Sequence, residues 1–151
     1  MVALLALAAH AAPCPPPDAS TATVASDGSA HVLAADASVA CWWIVDDGGD
    51  ARVAARWDPT RRAPVALVAV PDGRAAVVLV EPGRVRLGVR AEGGGERRLL
   101  DLPGVPDRLL AHPSRPVVAL VWSASADRVW VVDLDTGTLS ATTVAAGEGA
   151  R

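Results

Sequence analysis

The chain reads as all-β, built from three four-stranded antiparallel units. Three observations predict this. Short Val-rich runs alternate with Gly-rich turns, the pattern of hairpins. Two series of turns recur in order at a spacing in the forties. No stretch after the N-terminal Ala-rich run keeps a helical period over several turns.

The first turn series is Ser26-Asp27-Gly28-Ser29, Pro71-Asp72-Gly73-Arg74 and His112-Pro113-Ser114-Arg115. The second is Asp46-Asp47-Gly48-Gly49, Glu92-Gly93-Gly94-Gly95 and Asp135-Thr136-Gly137. Asp-Gly pairs supply the positive φ that tight hairpins need. Between these turns lie twelve predicted strands. The first unit takes Ala22–Ala25, Ala30–Ala34, Val39–Val45 and Ala51–Trp57. The second takes Val65–Val70, Ala75–Val80, Arg84–Arg90 and Glu96–Leu102. The third takes Arg108–Ala111, Val117–Trp122, Arg128–Leu134 and Thr138–Val144.

Val65–Val70, Ala75–Val80 and Val117–Trp122 are nearly continuous apolar runs, expected to be buried on both faces. Val85, Leu87 and Val89 alternate with Arg84, Arg86, Gly88 and Arg90, so that strand is expected to have one wet face or to lie at an edge. Pro64, Pro103, Pro106 and Pro116 are expected between strands, where a missing N–H costs nothing.

Composition narrows the function. The 151 residues carry a formal charge of −3 and 51% hydrophobic residues, with five Trp and neither Phe nor Tyr. The core is therefore expected to be Val, Ala and Leu, with Trp filling the large volumes. All fourteen basic residues are Arg, scattered rather than clustered. A nucleic-acid partner, which needs a basic patch, is not expected.

At the N-terminus, the apolar run Val2–Ala9 and the Ala9-His10-Ala11 pattern read as a secretory signal cleaved after Ala11 or Ala12. The run is too short to span a bilayer. The resulting division is a signal over residues 1–12, a Pro-rich linker over 13–20, the β domain over 21–146 and a flexible tail over 147–151. A secreted or periplasmic location follows, the alternative being an Ala-rich start of a cytoplasmic protein. Export would permit a Cys14–Cys41 disulfide; otherwise Cys41 packs as a small buried hydrophobe.

The stretches VWVVDLDTG, Val129–Gly137, and AVPDGRAAVVL, Ala69–Leu79, resemble strands and turns of β-propeller blades of the WD40-like and YVTN-like kind. The resemblance spans Thr21–Val144 and is best in the third unit. It implies propeller-blade-like sheets and an interaction platform for a protein or glycan partner. Propellers use about four to eight blades, and three units fall short. Two copies completing a six-bladed ring, a truncated remnant of a longer propeller, or a small β-barrel or β-sandwich would each resolve the shortfall.

No motif for catalysis or for a cofactor stands out, and none is assigned. The candidates that remain are carboxylates. Asp46, Asp47 and Asp50 surround one turn, and Asp133 and Asp135 precede another. Alternate carboxylates in a turn can ligate Ca²⁺ or, meeting in space, serve a glycan-active enzyme; hairpin turns also select Asp with no metal present. His31 and His112 are read as turn-associated structural residues. Trp42, Trp43, Trp122 and Trp130 are read as packing between sheets rather than as a ligand platform.

Overall fold

The computed structural model describes residues 12–18, 22–123 and 128–143. The proposed signal peptide and the tail lie outside the described residues, apart from Ala12. The strands are β1 (Ala22–Val24), β2 (Ala30–Ala35), β3 (Ala40–Val45), β4 (Ala51–Trp57), β5 (Ala63–Ala69), β6 (Ala75–Glu81), β7 (Arg84–Arg90), β8 (Glu96–Leu102), β9 (Arg108–Ala111), β10 (Val117–Trp122), β11 (Arg128–Asp133) and β12 (Leu139–Thr143). They form three four-stranded antiparallel sheets in the orders β1-β2-β3-β4, β5-β6-β7-β8 and β9-β10-β11-β12. Each hairpin closes locally, so every sheet is a simple meander. The second sheet meets its neighbours along its first strand, β5, which lies against β2 and β1 on one side and β9 on the other.

The second sheet is the middle layer, and β6 shows why. Its side chains alternate in direction, as any strand's must. Ala75, Val77 and Leu79 pack with Trp42, Ile44 and Trp57 of the first sheet. Ala76 and Val78 pack with Val118, Leu120 and Val132 of the third. All five of these β6 residues are fully buried. A strand covered on both faces has no use for a polar residue, which explains the unbroken run AAVVLV.

Three expectations need correcting. Val117–Trp122 is buried on one face: Val118, Leu120 and Trp122 point into the core, while Val117, Ala119 and Val121 are half-exposed. The third sheet is the end of the stack, and among the described residues no sheet covers its outer side. β7 is an interior strand, and of its three arginines only Arg84 is exposed. Arg86 lies between Glu81 and Asp101, at 3.2 and 3.1 Å, and the Arg90 guanidinium sits 5.1 Å from the Trp57 ring centre. Pro64 lies within β5, next to a register shift between Pro64 and Ala66. β5 hydrogen-bonds only to β6 in its sheet, and an edge strand with an irregularity tolerates proline.

Residues 12–18, read from the sequence as the end of the signal (Ala12) and the start of the linker over 13–20, lie on the outer face of the first sheet. Cys14 is joined to Cys41 of β3, with the Cα atoms 5.9 Å apart. Trp43 Nε1 donates to the Pro15 carbonyl at 2.8 Å, and Arg56 donates to the Ala12 carbonyl at 2.9 Å. Beneath this strap Val32, Ala34 and Cys41 are buried.

Candidate functional site, a rim of turns

All six turns of the two recurring series lie where strands one to two and three to four of each sheet connect, along one rim of the stack. Gly28 and Gly73 occupy equivalent places in the first series, with φ of 87° and 89°, a conformation that favours glycine. Each first-series turn is closed by the side chain at its start. Asp27 Oδ1 accepts from the Ser29 amide at 2.9 Å, Asp72 Oδ1 from the Arg74 amide at 3.1 Å, and His112 Nδ1 from the Ser114 amide at 3.1 Å. The third turn lacks glycine, and a histidine ring replaces the carboxylate.

Successive sheets are linked across this rim by a repeated contact. Arg52 of β4 forks onto Glu92 in the β7–β8 turn, at 2.5 and 3.0 Å. One unit later, Arg97 of β8 donates to the carbonyl of Asp135 in the β11–β12 turn at 3.0 Å. Arg74 adds a second tie, donating to Asp135 Oδ1 at 2.8 Å and to Asp72. Both the Arg and the turn that receives it thus recur at the blade period.

Two of the predicted carboxylates, Asp46 and Asp133, close these turns. Asp46 Oδ1 accepts from the Asp50 amide at 2.9 Å. Asp133 Oδ1 accepts from the amides of Asp135 and Thr136 at 2.9 and 3.1 Å, and these bonds hold its carboxyl below the usual range. Asp46, Asp47 and Asp50 belong to the first sheet, Asp133 and Asp135 to the third, and the second sheet stands between the two groups. Among the described residues no three His, Cys, Asp or Glu converge on a cation position.

A buried polar chain lies behind the rim, and it was not anticipated from the sequence. Trp42 Nε1 donates to His31 Nδ1 at 3.0 Å, so Nδ1 carries no proton. The ring proton therefore sits on Nε2 and is donated to Ser29 Oγ, 3.0 Å away. Ser29 Oγ in turn donates to Asp27 Oδ1 at 2.6 Å. The direction of this chain decides its chemistry. In a nucleophilic triad, histidine accepts the serine proton and the acid orients the histidine. Here serine stands between acid and histidine, its proton goes to the carboxylate, and the imidazole donates to it. Ser29 and His31 are also buried, at 7% and 4% exposure. The chain is a structural relay that satisfies four side chains. Beside it, Ser26, Asp46, Arg52, Pro71, Gly73 and Glu92 help line a recess of about 150 Å³ between the first and second sheets.

Burial holds His31 below the ordinary imidazole value; the Asp27 carboxylate opposes this and Arg52 adds to it. The unfolded chain takes up this proton near pH 6.5, the folded chain only at lower pH. Protonation therefore favours unfolding. The His31 contribution is complete above about pH 6.5 and is lost as pH falls through the folded-state value. Urea midpoints measured from pH 7.5 to 5 are expected to fall for the native chain, and to fall less for His31→Asn. Equal slopes would contradict the assignment.

A second junction, away from the rim recess, centres on Glu96. Its side chain is 5% exposed. Glu96 accepts from Trp57 Nε1 at 2.7 Å, pairs with Arg62, and lies 3.6 Å from Arg90. It joins the first sheet to the second with charge-assisted bonds. Glu96→Ala leaves the Trp57 N–H without a partner and removes the carboxylate that Arg62 and Arg90 face, and is expected to cost about 2–3 kcal/mol. Glu96→Gln keeps the Trp57 bond and should cost less. Denaturant titration of the two variants checks the order.

No protein-family model matches the chain, and no curated protein sequence matches it. Solved structures do match. One, from a structural and mechanistic study of two prolyl endopeptidases concerned with inter-domain dynamics in catalysis and specificity, has a TM-score of 0.56 at 13% identity. The match covers 80% of this chain and 19% of that one. At this identity the likeness concerns the fold. Together with the three stacked meanders, it places the chain in the class of all-β proteins built from propeller-blade-like sheets.

Proposed function

We propose that the chain is a non-enzymatic, propeller-like binding or scaffold protein that presents its rim of turns to a protein or glycan partner. The observation that carries this reading is the repeated link across the rim, from Arg52 to Glu92 and from Arg97 to Asp135. It fixes loops from different sheets relative to one another, which is what a rigid recognition surface requires. The Asp27–Ser29–His31–Trp42 relay favours the same reading, because its proton arrangement supports the rim rather than activating a nucleophile. The Cys14–Cys41 bond favours an oxidising compartment, secreted or periplasmic.

Glycan and peptide arrays probed with the purified chain test this. Binding without turnover, weakened by Arg52→Glu, is the expected result. Product formation that disappears in Asp46→Asn, Asp47→Asn or Asp133→Asn would instead establish a carboxylate-dependent glycan-active enzyme. A second reading, three blades of a longer propeller, is favoured by the small share of the matched structure that the chain spans. Blade-like sequence in the adjoining reading frame would support it.

A further inference from the structure

The two ends of the stack differ. The outer face of the first sheet is strapped over by residues 12–18, with Val32, Ala34 and Cys41 sealed beneath. The outer face of the third sheet is open, and its β9–β11 part is apolar, formed by Leu110, Val117, Ala119, Val121, Val129 and Val131, while β12 adds the polar Ser140 along one edge. Strand pairing puts all of these on one side, and Leu110 and Val131 are 48% and 41% exposed. We propose that this face docks a second copy of the chain through the same face, giving a two-fold dimer joined third sheet to third sheet.

Three observations select that occupant. First, the charged residues flanking the patch are complementary to each other. Arg108 pairs opposite Val121 at one corner, and Asp133 pairs opposite Val117 at the diagonal corner. Ala119 lies midway between them, on the strand between and in the central row. Turning a second copy about an in-plane axis through Ala119 sets each Arg108 over the partner's Asp133 corner. Arg115 also lies at that corner, beside Asp133, so the charge gain is modest and serves orientation more than affinity. Second, a small residue at the axis lets the sheets approach, and an isologous contact closes on itself. Third, a head-to-tail pair, including a two-copy ring, would need the outer face of the first sheet, where residues 12–18 lie and are held by the disulfide and by Trp43 and Arg56.

The apolar face spans about 14 Å across three strands and about 17 Å along them. That is below the roughly 800 Å² per partner of a standard interface, so the dimer is expected to exchange with monomer at micromolar concentration. The inference rests on reading the chain as an interaction protein, but the two fail separately: turnover by a carboxylate would end that reading without changing the mass in solution.

The experiment is light scattering behind a sizing column on the full, oxidised chain, from about 1 µM to about 1 mM. A monomer–dimer equilibrium is expected. Val131→Arg and Ala119→Arg should abolish it with circular dichroism and urea midpoint unchanged, Arg108→Glu should weaken it about tenfold, and Val24→Arg, on the outer face of the first sheet, should leave it intact. A monomer at every concentration overturns the proposal. So does a dimer that survives both Val131→Arg and Ala119→Arg, or one that Val24→Arg disrupts, which would mark a head-to-tail ring.

Discussion

Trp42→Ala is expected to lower unfolding free energy by about 3–5 kcal/mol, a large share of the roughly 5–15 kcal/mol that holds a domain folded. Trp42 has no exposed surface. Its ring fills the space between the first and second sheets, against Val77 and Leu79, and its Nε1–H is the first donor of the rim relay. Alanine removes both. Trp42→Phe separates them, since phenylalanine restores most of the volume but leaves His31 Nδ1 without a donor. That variant should cost about 1–3 kcal/mol. Urea titration of the two variants reads the difference. Equal costs would mean that the hydrogen bond, rather than the packing, dominates.

Breaking Cys14–Cys41 has the next largest expected effect. The cysteines are 27 residues apart, and chain-entropy arithmetic for a loop of that length gives about 3.5 kcal/mol. The bond also holds the strap over the first sheet, so its loss exposes Val32 and Ala34 as well as freeing the denatured chain. Reduction of the native protein and the Cys14→Ser/Cys41→Ala double variant should shift the urea midpoint alike, and both should bind more of a hydrophobic dye than the oxidised chain does. A shift corresponding to less than about 1 kcal/mol would mean that the strap is peripheral to stability.

The strands were legible because their punctuation is local. β4, β7, β8, β9 and β10 have the bounds predicted from turn residues and apolar runs. β5 begins earlier than its prediction because Pro64 reads as a stop, while an edge strand with a register shift accommodates it. The burial of β10 on one face could not be told from that of β6 on two. Both are apolar runs, and the difference lies in whether another sheet follows.

The rim was half legible. The two turn series fixed the period, and the equivalence of Arg52 and Arg97 follows the same period, but scattered arginines read only as the absence of a patch. The relay needed strand pairing to bring Trp42 to His31, eleven residues away. Its one local signal was the nearness of Asp27, Ser29 and His31 in the sequence, the first two in the β1–β2 turn and the third at the start of β2. Of the carboxylates chosen as candidates by their clustering, Asp46 and Asp133 close the turns that the same clustering marks, and Asp135 receives Arg74.

The account stands on β6 as the strand shared by two cores, and methyl nuclear Overhauser contacts test that most directly. The expected pattern is Val77 and Leu79 methyls in contact with Trp42 and Ile44, and Val78 methyls in contact with Val118 and Leu120, with no exchange of partners between the two sets. Contacts from Val77 and Val78 to the same neighbours, or between β1 and β12, would show a closed barrel or a two-layer sandwich and would contradict the three-sheet stack.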